Sequence, residues 1–387
     1  MRKTIVTVSV IAAVVCSSFP AADVYAVSNE EGWTVFEYFC GSDLESGDPE
    51  SGCASGDIEE MINATVGTNV RFVIEDGGTD CHHDYFDSDE TRRYVIEDGN
   101  IVQVGKDELL DMGEEYTLRE FLKWGIDTYS SEHMAVILWD HGGGAIGGCC
   151  YDEIFDSHLT LPEIDSAFSY ACCGMDKKFD FVAFDCCNMA TIEMAELLVP
   201  YSDYMIASQQ TMPGSGFEYT AFAEFLCNNP KANGRMAGLR LCMAYWNQEG
   251  DPAYSEYITI SMTDLSLVDE FNEELEDFCS DIELLQDDWI SYNAFLTEFS
   301  MNDDFGSGTY DFYNFTRSIS EYTSGAEAVN EALDDMIIYK AGGSQNRYSG
   351  LSIYIPMYAL SPEDEEIFSY ICPEGSYRDF VYSLPWM

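Results

Sequence analysis

Two short apolar runs, each followed at once by an acidic residue, constrain this sequence more than any other feature. The runs are Met134–Trp139 and Phe181–Phe184, and both are uninterrupted, as in parallel strands that are buried on both faces. A buried strand holds the residues just beyond its carboxyl end firmly, while those residues face the crevice above the sheet. His141 and Cys187 occupy such positions. The sequence therefore predicts an α/β fold with two strand ends that carry chemically reactive side chains.

The surroundings of these two residues are typical of a nucleophile and its base. Ala190–Leu198 has helical spacing, so we expect Cys187 at a strand-to-helix turn, where free amides and the helix dipole favour a thiolate. The glycines Gly142–Gly144 let the backbone approach a reacting group closely. We expect the amides of Gly142 and Cys187 to bind a developing oxyanion. Taken singly, such a histidine is more often structural, and a buried cysteine more often only packs.

The motifs WDHGGG and FDCCNMATIEMA, in this order, resemble those of the clostripain family of cysteine peptidases. The resemblance implies a caspase-like fold, which is a mostly parallel sheet flanked by helices with a smaller C-terminal subdomain. It implies a catalytic dyad of His141 and Cys187, with Cys187 rather than Cys186 as the nucleophile. It also implies that Asp185 lines the pocket for the residue before the cleaved bond and favours Arg or Lys. The alternative for Asp185 is a carboxylate that caps the following helix.

The sequence departs from the family pattern at several positions near the predicted site. Gln209 and Gln210 stand where the family commonly has acids, Asn188 replaces an apolar residue, and Cys186 replaces a small one. These departures leave a second interpretation open, in which the chain is a catalytically drifted, secreted binding protein that keeps the peptidase fold. A third interpretation, a thiol–disulfide protein that uses Cys186 and Cys187, ranks last because adjacent cysteines form a strained bridge.

The N-terminal segment and the charge of the chain indicate export and the class of partner. Met1–Ala26 has a basic start, an apolar run and a small-residue cleavage site, so it predicts a secretory signal peptide and a secreted protein. The net charge is −54, with 17 basic and 71 acidic residues. Such a surface repels nucleic acid and anionic membranes and attracts cationic substrates, although it also serves solubility alone. After the signal no apolar run is long enough to predict stable membrane insertion.

The cysteines and acidic loops leave the question of bound metals open. Of fourteen cysteines, Cys16 lies in the signal, and one spent on catalysis leaves an even number for disulfides or for buried thiols. Cys81–Asp84 reads CHHD and resembles a set of metal ligands, but such histidines are usually solvated. The acid-rich segment Asp84–Glu90 leaves weak calcium binding open. We expect the chemistry itself to need no cofactor.

The order of predicted elements divides the mature chain into two parts. Residues 27–250 alternate strands and helices and form the predicted catalytic domain, whereas 251–387 form the predicted C-terminal subdomain. Within the first part, Asp98–Asn100 predicts a hairpin turn at the sheet edge, and Thr117 with Glu120 predicts a helix capping box. The sequence as a whole thus predicts a secreted cysteine endopeptidase that cuts after basic residues through an acyl-enzyme.

Overall fold

The computed structural model describes residues 29–47, 52–83, 85–249, 257–302, 305–306, 308–323, 325–342 and 348–385. The predicted signal peptide, Met1–Ala26, lies outside the described residues. None of the described helices is both long enough and apolar enough to cross a bilayer.

The described residues form fifteen strands and fourteen α-helices, and helices connect the central strands of the sheet. The strands are β1 Asn29–Cys40, β2 Val70–Gly77, β3 His82–His83, β4 Phe86–Asp87, β5 Glu90–Glu97, β6 Asn100–Glu108, β7 Ser131–Trp139, β8 Cys149–Asp152, β9 Ser157–Leu159, β10 Phe179–Asp185, β11 Ser202–Ala207, β12 Thr259–Asp264, β13 Thr309–Asp311, β14 Ile337–Gly342 and β15 Ser352–Tyr354. The α-helices are α1 Ser42–Ser46, α2 Cys53–Ala64, α3 Glu115–Tyr129, α4 Gly144–Gly147, α5 Leu161–Ala171, α6 Ile192–Leu198, α7 Tyr219–Asn228, α8 Gly234–Glu249, α9 Val268–Leu285, α10 Trp289–Phe299, α11 Phe312–Ile319, α12 Gly325–Met336, α13 Pro362–Ile371 and α14 Ser376–Ser383.

A nine-stranded sheet organises the fold, with the strand order β14-β12-β11-β10-β7-β1-β2-β5-β6. The central strands β11, β10, β7, β1 and β2 are parallel, and antiparallel pairs complete both edges. The apolar runs of the central strands are fully buried because helices cover both faces. The prediction of an α/β fold with a mostly parallel sheet flanked by helices is confirmed.

Two hydrophobic cores form, one on each face of the sheet. One contains the buried sides of α3, α5, α6, α9 and α12, and the other those of α2, α7 and α8. Strands β12 and β14 come after residue 250 and extend the same sheet, while α9 and α12 pack into the first core. The division of the chain at residue 250 stays a prediction.

Two local predictions around the sheet differ in outcome. The hairpin is confirmed, because Asp98 and Gly99 both have positive φ and join β5 to β6 at the sheet edge. The capping box of α3 is wrong, because α3 begins at Glu115 and the Thr117 hydroxyl instead donates to the Asp111 carbonyl oxygen. Since Thr117 already lies inside the first helical turn, it cannot cap that helix.

The segment that follows the predicted nucleophile is bound to the C-terminal part of the chain. The amide of Ser352 donates to the Ala190 carbonyl oxygen at 2.9 Å, which places β15 beside this segment. The buried amide of Gln209 donates to Asp311 Oδ2 at 3.0 Å, and its Oε1 accepts from the Gly350 amide at 2.9 Å. The C-terminal part of the chain therefore stabilises the backbone that follows β10 and β11.

Candidate active site

Strand pairing places the two predicted reactive segments side by side. β7 and β10 pair in parallel with Trp139 opposite Asp185, so both strands end at the same level of the sheet. The Asp140 amide then donates to the Asp185 carbonyl oxygen at 3.3 Å. Because β7 and β10 end at the same level, the residues that follow the two strands meet in the crevice above the sheet.

Gly142 lies directly against Cys187, which joins the two predicted halves of the site. A Cβ built on Gly142 would stand 2.1 Å from the Cys187 carbonyl oxygen, so only glycine fits. Gly142 forms an isolated antiparallel bridge with Cys149, and its neighbours His141 and Gly143 carry the hydrogen bonds of that bridge. The Gly142 amide is thereby left to face the Cys187 sulfur.

The sulfur of Cys187 is partly buried and receives backbone hydrogen bonds. The Met212 amide donates to it at 3.2 Å. Burial raises the pKa of the Cys187 thiol above its usual range, and the charges of Asp185 and Asp140 act in the same direction. The amides of Met212 and Gly142 lower the pKa in part. The resting residue is therefore a thiol that a base must deprotonate.

The predicted influence of a helix on Cys187 is wrong. Helix α6 begins at Ile192 rather than Ala190, and the Thr191 hydroxyl caps it by accepting from the Met194 amide. A connection of four residues separates Cys187 from the helix, and the effect of a helix dipole is confined to its first turn. Backbone amides of the neighbouring loops, not the helix, stabilise negative charge on this sulfur.

His141 has a carboxylate partner that sequence reasoning missed. Its Nε2 lies 2.7 Å from Asp43 Oδ1, and both side chains reach solvent, with 46% and 67% of their surface exposed. Asp43 belongs to α1, which follows directly after the carboxyl end of β1. β1 pairs in parallel with β7, so its end is a third site at the same edge. The signal that could have revealed Asp43 is this position after the first apolar strand.

Asp140, which is adjacent to His141, does not orient the imidazole. Its buried carboxylate accepts from the Ser42 hydroxyl at 2.5 Å. Burial raises its pKa, while hydrogen bonds from Ser42 and from the amides of His141 and Tyr151 lower it in part. Asp140 therefore braces the loop that carries His141.

Asp185 is the last residue of β10, and its side chain is buried, with only 4% of its surface exposed. Its Oδ2 accepts from the Phe217 amide at 2.8 Å and from the Tyr219 hydroxyl at 3.1 Å. Two further buried acids, Glu37 and Asp57, stand close enough to interact with it electrostatically. It does not cap α6, because the Thr191 side chain does so.

The three buried acids form a cluster that we call the acidic triad, comprising Glu37, Asp57 and Asp185. Burial raises the pKa of Asp185 to about 7 and raises those of the other two. Among the described residues, no positively charged side chain contributes to the pKa of any member. Both carboxylate oxygens of Glu37 are buried without a hydrogen-bond partner in the described structure. The triad is therefore a buried carboxyl site without a cation of its own.

A groove of about 250 Å³ opens beside the imidazole. It is lined by His141, the glycines at positions 142, 143, 147 and 148, and Cys149, Tyr151 and His158. Among the described residues, the Cys187 amide donates to no protein acceptor. The groove thus lies beside His141 and Gly142, and Gly142 in turn lies against the backbone of Cys187.

Gln209, a departure from the family pattern, has a structural role. It is 1% exposed, and its amide contacts Asp311, Ser349 and Ser352 rather than the groove. Gln210 donates to the Tyr348 hydroxyl at 3.3 Å. The substitution at position 209 is thus explained by packing against the C-terminal part, and it is not a change in the lining of the groove.

Candidate metal ligands occur in two clusters among the described residues. His82 Nδ1 lies 3.0 Å from Asp87 Oδ1, but Arg92 also pairs with Asp87 and opposes a bound cation there. Of the predicted CHHD set, Asp84 lies outside the described residues. The other cluster consists of the buried thiols of Cys149, Cys150 and Cys186. The thirteen cysteines from Cys40 to Cys372 are all free thiols, and none forms a disulfide.

Comparisons with known proteins give a family match over most of the chain. The sequence matches the model of the clostripain family, peptidase family C11, over residues 38–386. No curated protein matches it.

Solved structures of C11 proteases share the fold. A secreted C11 cysteine protease from Bacteroides thetaiotaomicron, in complex with an irreversible peptide inhibitor, is 17% identical with a TM-score of 0.67, over 91% of this chain and 99% of the other. An inactive zymogen C11 protease from Parabacteroides distasonis is 21% identical with a TM-score of 0.62, over 90% of this chain and 97% of the other. The caspase-like architecture is thereby confirmed.

The raised pKa values of the acidic triad predict that the protein loses stability as the pH rises. A carboxyl group with a folded-state pKa above its unfolded value holds its proton longer in the folded state, so rising pH favours unfolding between the two values. For Asp185 that window runs from 3.8 to about 7. Urea unfolding should give a higher free energy of unfolding at pH 5 than at pH 8. Asp185→Asn should reduce that difference by about 2 kcal/mol.

The exposed Glu366 offers a matched control for this measurement. Glu366→Gln removes the same formal charge from the surface and should leave the pH dependence almost unchanged. A free energy of unfolding that stays constant or increases from pH 5 to pH 8 would contradict the assignment of buried, protonated acids.

Proposed function

We propose that this chain, which belongs to the clostripain family of cysteine peptidases, is a secreted endopeptidase that cleaves after Arg or Lys through a dyad of Cys187 and His141. The observation that carries the proposal is the contact between Gly142 and Cys187. It brings the histidine loop onto the cysteine turn and leaves backbone amides at the sulfur. Export is supported by the signal-like segment Met1–Ala26 and by the description of a structural relative as secreted.

The proposed reaction begins with proton transfer from Cys187 to His141. The pKa of the thiol is raised, so the imidazole acts as a general base when substrate arrives. Asp43 accepts at Nε2 of His141, which leaves Nδ1 to take the proton. The carboxylate also stabilises the imidazolium that results. Asp43 is thus proposed as the residue that positions the base.

Acyl transfer then proceeds through a tetrahedral intermediate. The Cys187 sulfur attacks the peptide carbonyl carbon, and the carbonyl oxygen takes up the negative charge. The amides of Gly142 and Cys187 are proposed to bind that oxyanion. His141 returns its proton to the leaving amine, which departs and leaves a thioester. Water, deprotonated by His141, hydrolyses the thioester and restores the thiol. No step requires a metal or an organic cofactor.

The acidic triad supports the proposed preference for basic residues. A Lys or Arg side chain that enters a partly desolvated pocket needs a fixed opposite charge. Asp185 is two residues from the nucleophile, and Glu37 and Asp57 are buried close to it. A substrate cation would supply the charge that the triad lacks. The acidity of the whole chain adds a steering field that is sensitive to salt.

Cys187→Ala should abolish hydrolysis of a peptide with Arg before the reporter group, because no other thiol lies at the end of β10 facing the amides of Gly142 and Met212. An irreversible, thiol-reactive peptide inhibitor should label wild type at Cys187 and leave the variant unlabelled. Mass spectrometry of the digested adduct identifies the modified residue. Cys173→Ala is the matched control, since Cys173 is an exposed thiol and its loss should change neither readout. An adduct on Cys186 instead would refute the assignment.

Asp43→Ala should lower kcat about tenfold, because a partly exposed hydrogen bond to a charged imidazole is worth about 1–2 kcal/mol. KM should change little. Asp43→Asn keeps an acceptor and should recover part of the loss. His141→Ala should cost at least about a hundredfold, which sets the scale. The pH profile of kcat separates positioning from folding: its acidic limb should shift in Asp43→Ala and stay fixed if Asp43 only stabilises α1.

Asp185→Asn should reduce kcat/KM for peptides with Arg or Lys before the cut by about 2–5 kcal/mol, the cost of removing one member of a buried charge pair. A peptide set varied only at that residue provides the measurement. Peptides with a neutral residue there serve as the internal control and should be nearly unaffected. Raising the salt concentration should affect wild type and variant alike. A wild-type preference for acidic or apolar residues would reject the pocket assignment even if Cys187 is catalytic.

A further inference from the structure

Three buried thiols meet behind the proposed active site without a role in the chemistry described above. They belong to Cys149, Cys150 and Cys186, with exposed fractions of 2%, 0% and 1%. Their sulfur atoms all lie within 4.8 Å of one another. No disulfide joins them. From this arrangement we propose that they form a three-sulfur binding site for a divalent thiophilic cation, with Zn²⁺ as the expected ion.

The spacing of the sulfur atoms fits a metal better than a covalent bridge. A tetrahedral Zn²⁺ with bonds of about 2.3 Å holds its sulfur ligands about 3.8 Å apart. The thiols approach this spacing already, so binding requires side-chain shifts of well under 1 Å from each. A disulfide would need two sulfurs at about 2.05 Å. Cys149 and Cys150 are adjacent in the chain and are poorly placed for a bridge with each other.

The choice of ion follows from the ligands and their charge. Thiolates favour Zn²⁺ and similar soft ions over Ca²⁺ and Mg²⁺, which prefer oxygen. Three thiolates with a divalent ion leave a net charge of −1, whereas a monovalent ion would leave −2 in the same buried space. The nearby carboxyl group of Asp140 increases the preference for the higher charge.

Cys149 also lines the groove beside His141. His158 lines the same groove. Three cysteines and one histidine form a common structural zinc set. We therefore expect the fourth ligand to come from this groove, as water or, after a side-chain shift, as the His158 ring. The three sulfurs close the other sides.

The position of the site gives it a structural consequence. Cys149 and Cys150 begin β8, where the Cys150 amide donates to the His141 carbonyl oxygen at 3.2 Å. Cys186 immediately precedes Cys187 and directs its thiol at the Leu138 carbonyl oxygen at 3.3 Å. A metal ion held by all three would tie the histidine loop to the cysteine turn. The site depends on the fold alone, and not on which peptide bond the protein cleaves.

Metal binding can be tested without an activity assay. The mature protein should be prepared in the Cys187→Ala background, which removes the proposed nucleophile as a ligand. It is reduced with a phosphine, stripped with a chelator and titrated with Zn²⁺. We expect one equivalent to bind, the thermal midpoint to rise with Zn²⁺ concentration, and Cd²⁺ to give a thiolate charge-transfer band. Zinc X-ray absorption should show three sulfur neighbours.

Variants of single cysteines locate the site. Cys149→Ser, Cys150→Ser and Cys186→Ser should each lose the stoichiometric binding and the charge-transfer band. Cys242→Ser, which removes a buried thiol from the other core, should keep both. Failure of the folded Cys187→Ala protein to bind Zn²⁺, or a zinc shell of nitrogen and oxygen alone, would overturn the proposal. The absorption measurement needs no cysteine-to-serine variant, so a variant that does not fold leaves the test intact.

Discussion

The in-register pairing of β7 with β10 is the constraint on which the rest of the site depends. It sets Trp139 opposite Asp185, so that the residues after each strand emerge at one level. Packing then leaves no space between them, since Gly142 touches the Cys187 carbonyl oxygen. A slip of two residues in either strand would move His141 and Cys187 apart by about 7 Å, because each residue of a strand advances about 3.3 Å. The apolar runs on both strands exclude that slip by burying every side chain.

The same edge of the sheet carries an unusual concentration of acids. Asp43, Asp140 and Asp185 follow or end three parallel strands, and each has different surroundings: Asp43 is exposed, whereas Asp140 and Asp185 are both buried and accept hydrogen bonds from different partners. Asp43 reaches water and contacts the imidazole of His141. Asp140 does not contact the imidazole of His141; its carboxylate accepts a hydrogen bond from Ser42 and so stabilises the loop that carries His141. Asp185 sits below with Glu37 and Asp57, where ionisation requires a partner. Burial and hydrogen-bond partners together thus distinguish roles that the residue type alone cannot.

The sequence predicted the central strands, the helices between them and the positions of His141 and Cys187 after the strand ends. Apolar runs and glycines are local features of the sequence, so the structure that they indicate does not depend on which distant residues they contact. Asp43 was missed because its relation to His141 arises only when β1 pairs with β7. The thiol cluster was missed for the same reason, since Cys186 is remote in sequence from Cys149 and Cys150. The start of α6 was placed too early because the segment Ala190–Leu198 as a whole has helical spacing. In the structure the Thr191 side chain caps the helix, which begins at Ile192.

The hydrogen bond from the Ser352 amide to the Ala190 carbonyl oxygen has a bearing on how the protein is made. The turn that bears Cys187 is supported by residues that leave the ribosome more than 150 positions later. Gln209 depends in the same way on Gly350 and Asp311. An unfinished chain therefore carries the cysteine and the histidine without the strand that sets their backbone. The backbone of the site is therefore completed only after the C-terminal part of the chain has been made, so a nascent chain lacks the finished site.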